Sequence, residues 1–188
     1  LVLDPARIDA LNEIDEAIRV GPLPESSLVA RRLAPLCAFA VASPAYLAKA
    51  GTPTTAAEFA THPAAMFLPN GRRAPWSVAA PDGEVAEVGE VRLGSSSMLA
   101  VVQATLAGAG VSVLPDFYVA RHITQGRLIR LLPTFVGDRR ELFAVYPSTR
   151  NLAPRVRAFI DHLVTAFDPP PWTRCEKAPH HVGSPTLV

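Results

Sequence analysis

The chain has few of the residues that most often announce chemistry. Two cysteines, Cys37 and Cys175, are too few for a metal site of their own and give no disulfide framework. Cys37 lies in an apolar run and is expected to be a buried, inert thiol. No phosphate-cradling glycine loop and no Gly-x-Ser-x-Gly nucleophile elbow occurs. His62, His122 and His162 lack metal-ligand spacing, and His180 and His181 sit near the end of the chain. No catalytic residue, metal or cofactor is therefore expected. No apolar run approaches the roughly 20 residues of a membrane-spanning helix, and no basic-then-apolar leader follows Leu1. The expectation is a cytoplasmic protein with no membrane partner. A net charge of +1 excludes bulk electrostatics as a reason to bind nucleic acid or an acidic surface.

Apolar material is ample. Hydrophobic residues make up 49% and charged residues 19% of 188, enough for one domain or two small lobes and unlike a disordered chain. Arginine outnumbers lysine 16 to 2, which reads as coding bias, although arginine forks suit carboxylates.

Strands and short helices alternate. Leu1 to Leu3 reads as a strand, and Asp4-Pro5 opens a helix to Glu13. Ala17 to Val20 is a short strand stopped by Gly21-Pro22. Leu28 to Ala30 and Cys37 to Ala42 follow, the second apolar throughout as in a strand covered on both faces. Ser43-Pro44 pairs an N-cap with an N1 proline, and Thr55 and Glu58 have capping-box spacing. Pro81-Asp82-Gly83 predicts a hairpin. Strands are expected at 64–68, 91–93, 111–114, 128–132 and 142–146, with helices from Met98 and Pro115. From Pro154, Val156, Phe159, Ile160, Leu163, Val164 and Phe167 recur at helical steps as one apolar stripe. This alternation predicts an α/β fold with a largely parallel sheet. The proline-bearing stretch 168–188 is expected to be a disordered tail.

Six short motifs stand in a familiar order. Asp15 to Gly21 is similar to the D-x-A-I-R-x-G pattern of LysR-type transcriptional regulators, and Leu28 to Leu33 to their L-V-A-R-R-L. Ala42 to Leu47 resembles A-S-P-x-Y-L, and Ala107 to Pro115 resembles A-G-x-G-I-x-x-L-P. Gly126 to Leu128 with Ala144 to Pro147 resemble the late strands, and Pro154 to Asp161 the last helix. The resemblance covers residues 1–167 and is to the C-terminal effector-binding (LysR substrate-binding) domain.

That resemblance implies a two-lobed, periplasmic-binding-protein-like (type II) α/β fold with two crossover strands. Lobe I would hold 1–36 plus 147–167, and lobe II 37–146. The family's winged helix-turn-helix, and the first strand and helix of its lobe I, have no counterpart in this sequence. The expectation is thus an N-terminally truncated chain with an incomplete lobe I. Its implied function is regulatory. A small-molecule effector, a carboxylate or aromatic metabolite, would bind between the lobes and shift a homo-oligomer (dimer or tetramer) of the full-length protein. DNA would be contacted only through the missing N-terminal domain. Two other readings of the same fold are a transporter's solute-binding protein and an enzyme. The second would need a convergent acid, base or nucleophile, and none stands out.

Candidate effector-binding residues follow from strand ends and helix starts. Ser95, Ser96 and Ser97 precede a helix, whose unpaired N–H groups and partial positive charge suit a carboxylate. A plain cap is the bland alternative for any one of them. Ser43 and Pro44 repeat that chemistry, with capping favoured for Ser43. Arg19, Val20 and Gly21 close a strand where α/β sheets place ligands. Phe67, Leu68, Pro115 and Phe117 could wall a pocket or be ordinary core.

Overall fold

A computed structural model of the chain describes residues 17–21, 28–72, 77–137, 139–147 and 154–172. The strand and helix expected over Leu1 to Glu13 lie outside the described residues, as does the tail beyond 172.

Three strands form the first sheet: β1 (Ala17–Val20), β2 (Leu28–Leu36) and β11 (Arg140–Pro147), in the order β1-β11-β2. Both pairings are antiparallel, with Ala17 opposite Val145 and Leu28 opposite Pro147. Helix α5 (Pro154–Ala166) covers one face, burying Val156 and Ile160 against Leu33, Leu36, Leu142 and Ala144. Leu163, Val164 and Phe167 join that core from the expected stripe. Phe159 does not: it is 37% exposed, because the buried face is narrower than the run of apolar residues. The sheet corrects the expected lobe boundary. The expected lobe II runs to residue 146, but β11 lies between β1 and β2 in the first lobe. β2 is also longer than expected. Arg31 and Arg32 interrupt the apolar pattern, yet both stay in the strand with solvent on their side chains.

The second lobe is built around β3 (Ala38–Ala42), buried at every position. Its neighbours are β8 (Ser112–Pro115) and β9 (Ile129–Arg130), both antiparallel to it. Alternation decides what covers each face. Ala40 and Ala42 are small and admit Tyr46 and Leu47 of α1 (Pro44–Ala50) and Phe59 of α2 (Ala56–Thr61). Phe39 and Val41 point the other way, against α3 (Met98–Leu106) and α4 (Asp116–Thr124). β4 (Ala64–Phe67) runs parallel to β7 (Val91–Ser95) and makes a single parallel bridge to the start of β8 through Ala64 and Val111. That weak junction is reinforced inside the core. Thr105 and Ser112 hydroxyls lie 2.7 Å apart, Ser112 Oγ is 2.7 Å from the Ala65 carbonyl, and Thr105 Oγ1 is 2.8 Å from the Val101 carbonyl.

The hairpin forms as expected. β5 (Val78–Ala79) pairs with β6 (Val85–Ala86), and Gly83 turns at φ +94°. β10 (Val136–Gly137) adds antiparallel to β5 and leads back toward β11. Among the described residues the ladders are mostly antiparallel, which overturns the expected largely parallel sheet. Alternating strands and helices do not fix strand direction when the chain crosses between lobes and returns. The capping box is also rearranged: Thr55 Oγ1 accepts from Glu58 N–H, but Glu58 reaches back to Thr54, accepting from its N–H at 2.7 Å and its hydroxyl at 2.9 Å.

Candidate functional site

Strand direction gathers one set of residues. β4 and β7 are parallel, with Phe67 opposite Ser95, and the Leu68 N–H donates to the Ser95 carbonyl at 2.8 Å. β8 runs the same way beside β4 and ends at Pro115. Phe67, Leu68, Ser95 to Ser97, Pro115 and Phe117 therefore lie at one end of the second lobe. It is the end where β3 begins, since Ala38 is opposite Pro115. The first lobe contributes from the corresponding end of its sheet. Arg19, Val20 and Gly21 close β1 opposite the start of β11, and Gly21 N–H donates to the Glu141 carbonyl at 3.1 Å.

The serines divide the work. Ser97 Oγ accepts from Ala100 N–H and caps α3, while Ser95 Oγ accepts from Ser97 N–H at 3.1 Å. Ser96 is exposed, and its hydroxyl makes no hydrogen bond among the described residues. It is the one of the three hydroxyls that neither accepts nor donates a hydrogen bond among the described residues. Gly94 gives Leu68 its place, because a Cβ at 94 would collide with the Leu68 side chain.

Ser43 and Pro44 are not part of this group, a correction to the sequence reading. β3 is antiparallel to β8, so the turn after Ala42 lies at the opposite end, beside the close of α3 at Gly108. Ser43 is buried, its Oγ accepts from Tyr46 N–H, and Pro44 is exposed. Tyr46 in turn lies 2.7 Å, hydroxyl to Nδ1, from His62. Burial pushes the Tyr46 phenol up, with Arg92 opposing.

Three residues near the gathered end were not singled out from sequence. Asp116 is fully buried; its Oδ2 accepts from Cys37 N–H at 3.2 Å and its Oδ1 from Phe117 N–H at 2.8 Å. Burial still raises its carboxyl to about 6, against the lowering effect of those N–H groups. Arg140 brings its guanidinium close to Gly21. Trp172 lies edge-on to Phe167 (5.0 Å between centroids) and tilted against Phe117 (5.9 Å), linking the chain after α5 to the start of α4. This contact limits the expected disordered tail, since Trp172 packs although Asp168, Pro169 and Pro171 before it are exposed. The tail's only tryptophan gave the signal: a large aromatic just past a helix gains by burial. Cys37 is buried, but it is disulfide-bonded rather than the free thiol expected of an apolar strand. Among the described residues no group of His, Cys, Asp and Glu could hold a metal, and no helix is long and apolar enough to cross a membrane.

Two α/β lobes joined by paired crossover strands, with strand ends gathered at the joint, define a periplasmic-binding-protein-like type II fold of the kind found in LysR-type regulatory domains. The comparisons agree. The LysR substrate binding domain profile matches residues 7–168, and the chain belongs to that family. It is 37% identical over 153 residues to the HTH-type transcriptional regulator CrgA of Neisseria meningitidis serogroup C, covering 81% of this chain and 51% of that one. It is 40% identical over 152 residues to the HTH-type transcriptional regulator PtxR of Pseudomonas aeruginosa, covering 80% and 48%. The solved structure of N. meningitidis CrgA superposes with a TM-score of 0.75 at 34% identity, covering 84% of this chain and 54% of that one. Full-length Vibrio cholerae AphB, a virulence activator, superposes with a TM-score of 0.71 at 28% identity, covering 82% and 52%. The chain spans about half the length of the curated relatives it matches.

Proposed function

We propose that this chain is the effector-sensing part of a transcriptional regulator and not an enzyme. A small organic ligand, a carboxylate or an aromatic metabolite, binds between the lobes. The site is formed by Arg19, Val20 and Gly21 from one side and by Phe67, Leu68, Ser95, Ser96, Ser97, Pro115 and Phe117 from the other. The observation that carries this reading is the gathering of the β1, β4, β7 and β8 ends beside the crossover. Arg19 and the Ser96 hydroxyl at the start of α3 supply donors for an anion, and Phe67 and Phe117 supply apolar walls. A ligand that binds one lobe arrangement better shifts the population toward it. In the full-length, cytoplasmic protein that shift reaches a homo-oligomer, dimer or tetramer, whose DNA contacts belong to another domain.

The test is a thermal-shift screen of the chain against aliphatic and aromatic carboxylates and neutral aromatics, followed by calorimetry of any hit on Ser96→Ala. A hit weakened about tenfold by Ser96→Ala, with the melting temperature of the unliganded protein unchanged, supports the site. Hits indifferent to Ser96→Ala, Arg19→Ala and Phe117→Ala would place binding elsewhere, and a complete absence of hits would overturn the reading.

A further inference from the structure

The chain after α5 brings one more ring to the gathered end. Trp172 packs against the core of the first lobe, as Leu163 and Phe167 do. Its other neighbour belongs to the second lobe. The indole lies 5.9 Å between centroids from Phe117 at the start of α4, inclined at 57°, and meets Phe167 edge-on at 5.0 Å. Phe117 is one of the two rings that wall the proposed site, and 38% of it stays exposed beside the indole.

Two features separate this contact from ordinary core packing. A buried indole N–H usually has an acceptor, but Trp172 Nε1 is buried with no hydrogen-bond partner among the described residues. The side chain is therefore held by apolar contact alone, and its release would return a donor to water. Asp168, Pro169 and Pro171 before it are exposed, so most of the stretch leading from α5 lies on the surface.

We propose that Trp172 is a built-in occupant of the effector site: its indole covers part of Phe117, and an effector binds by displacing it. The inference rests on the effector reading above and narrows it. A group that replaces an indole against a phenylalanine ring must itself be flat and aromatic to recover the contact, since ring pairs gain beyond the area they bury. A carboxylate on the same molecule would meet the donors of Arg19 and Ser96. The ligand class is thus an aromatic acid and not an aliphatic one. Because the indole is carried by the first lobe and Phe117 by the second, its displacement also removes a contact between the lobes.

The apparent affinity of a site that is open only part of the time falls by the open fraction. With the indole in place about nine-tenths of the time, removing it should tighten binding about tenfold.

The experiment has a ligand-free arm and a ligand arm. Both use the 188-residue chain with the Cys37 disulfide reduced, so that no crosslink restrains it. In the first, Trp76→Phe leaves Trp172 as the sole tryptophan, and acrylamide quenching of its fluorescence is measured. Quenching should rise in Phe117→Ala and stay level in Phe67→Ala, at the other wall. In the second, calorimetry follows 2-naphthoate, whose two fused rings match an indole in size, and its fully saturated counterpart. Trp172→Ala should bind 2-naphthoate about tenfold tighter than the natural chain does. Trp172→Phe, which restores a ring, should cancel most of that gain, and the saturated acid should gain nothing. Unchanged quenching in Phe117→Ala, or equal or weaker 2-naphthoate binding in Trp172→Ala, overturns the occupant. An equal gain for the saturated acid overturns the ligand class. If no variant binds 2-naphthoate, the proposal falls, while the effector reading stands on any other hit that Ser96→Ala weakens. If Trp172→Ala does not fold, the quenching arm decides.

Discussion

Ser43 and Ser97 are both N-caps in short β-to-α turns of the same lobe, and they sit in opposite kinds of surroundings. Ser43 closes β3 at the end far from the crossover, 2% exposed and packed among Tyr46, Leu47 and the close of α3. Ser97 opens α3 at the crossover end, exposed and next to a Ser96 hydroxyl that caps nothing. The capping chemistry is the same, and strand direction alone separates the two. One end of this lobe is consolidated and the other is left with donors and half-exposed rings.

If that division is real, substitutions at the far end should be felt in stability and those at the crossover end in binding. The largest effect should come from Phe59→Ala, which empties a fully buried site in α2 and should cost about 3–5 kcal/mol in urea unfolding. Next is Asp116. Its carboxyl stands at about 6 in the folded chain against an ordinary 3.8, so the folded state holds the proton more tightly. Relative to Asp116→Asn, the natural chain should lose stability as pH rises from about 4 to 6, by up to about 3 kcal/mol, and stay level above that. A flat difference across that window would mean that the carboxylate is better solvated than its burial indicates.

Ser43→Ala removes a buried cap and should cost about 1–2 kcal/mol, whereas Ser97→Ala, at an exposed cap, should cost about 0.5–1 kcal/mol. Equal losses would erase the contrast between the two ends. Smallest of all, Ser96→Ala should change stability by less than about 0.5 kcal/mol, so any effect it has on a ligand is read cleanly.

Local chemistry was legible in the sequence, and direction was not. The caps at Ser43, Thr55 and Ser97, the hairpin at Asp82-Gly83 and the start of α5 at Pro154 each depend on residues within four positions of one another. Ser43 looks equivalent to Ser95 to Ser97 in sequence because nothing within four residues tells which end of a sheet a turn occupies. That is set by the antiparallel pairing of β3 with β8, residues some 70 positions away. The same holds for β11, whose place between β1 and β2 depends on the chain crossing back, and for Asp116, whose partner Cys37 is 79 residues distant. Arg31 and Arg32 concealed the length of β2 because its first half, Val29 to Arg32, is exposed on both faces and need not be apolar, while only Leu33, Ala34 and Leu36 are buried.

The hydroxyl pair between β4 and β8 carries a consequence in proton counting. Val101 carbonyl, Thr105 Oγ1, Ser112 Oγ and Ala65 carbonyl form a line of four oxygens with three short links and only two hydroxyl protons. Carbonyls accept only, so if both protons pointed outward the middle link would set two lone pairs against each other at 2.7 Å. One outer link must go without, and the Val101 carbonyl, already an acceptor within α3, is the one that can spare it. The line then has a polarity, Thr105 to Ser112 to Ala65. It runs from a helix through one strand to the next, at the place where the ladder between those strands is a single bridge. Thr105→Val should leave the last link intact, while Ser112→Ala should break the whole line.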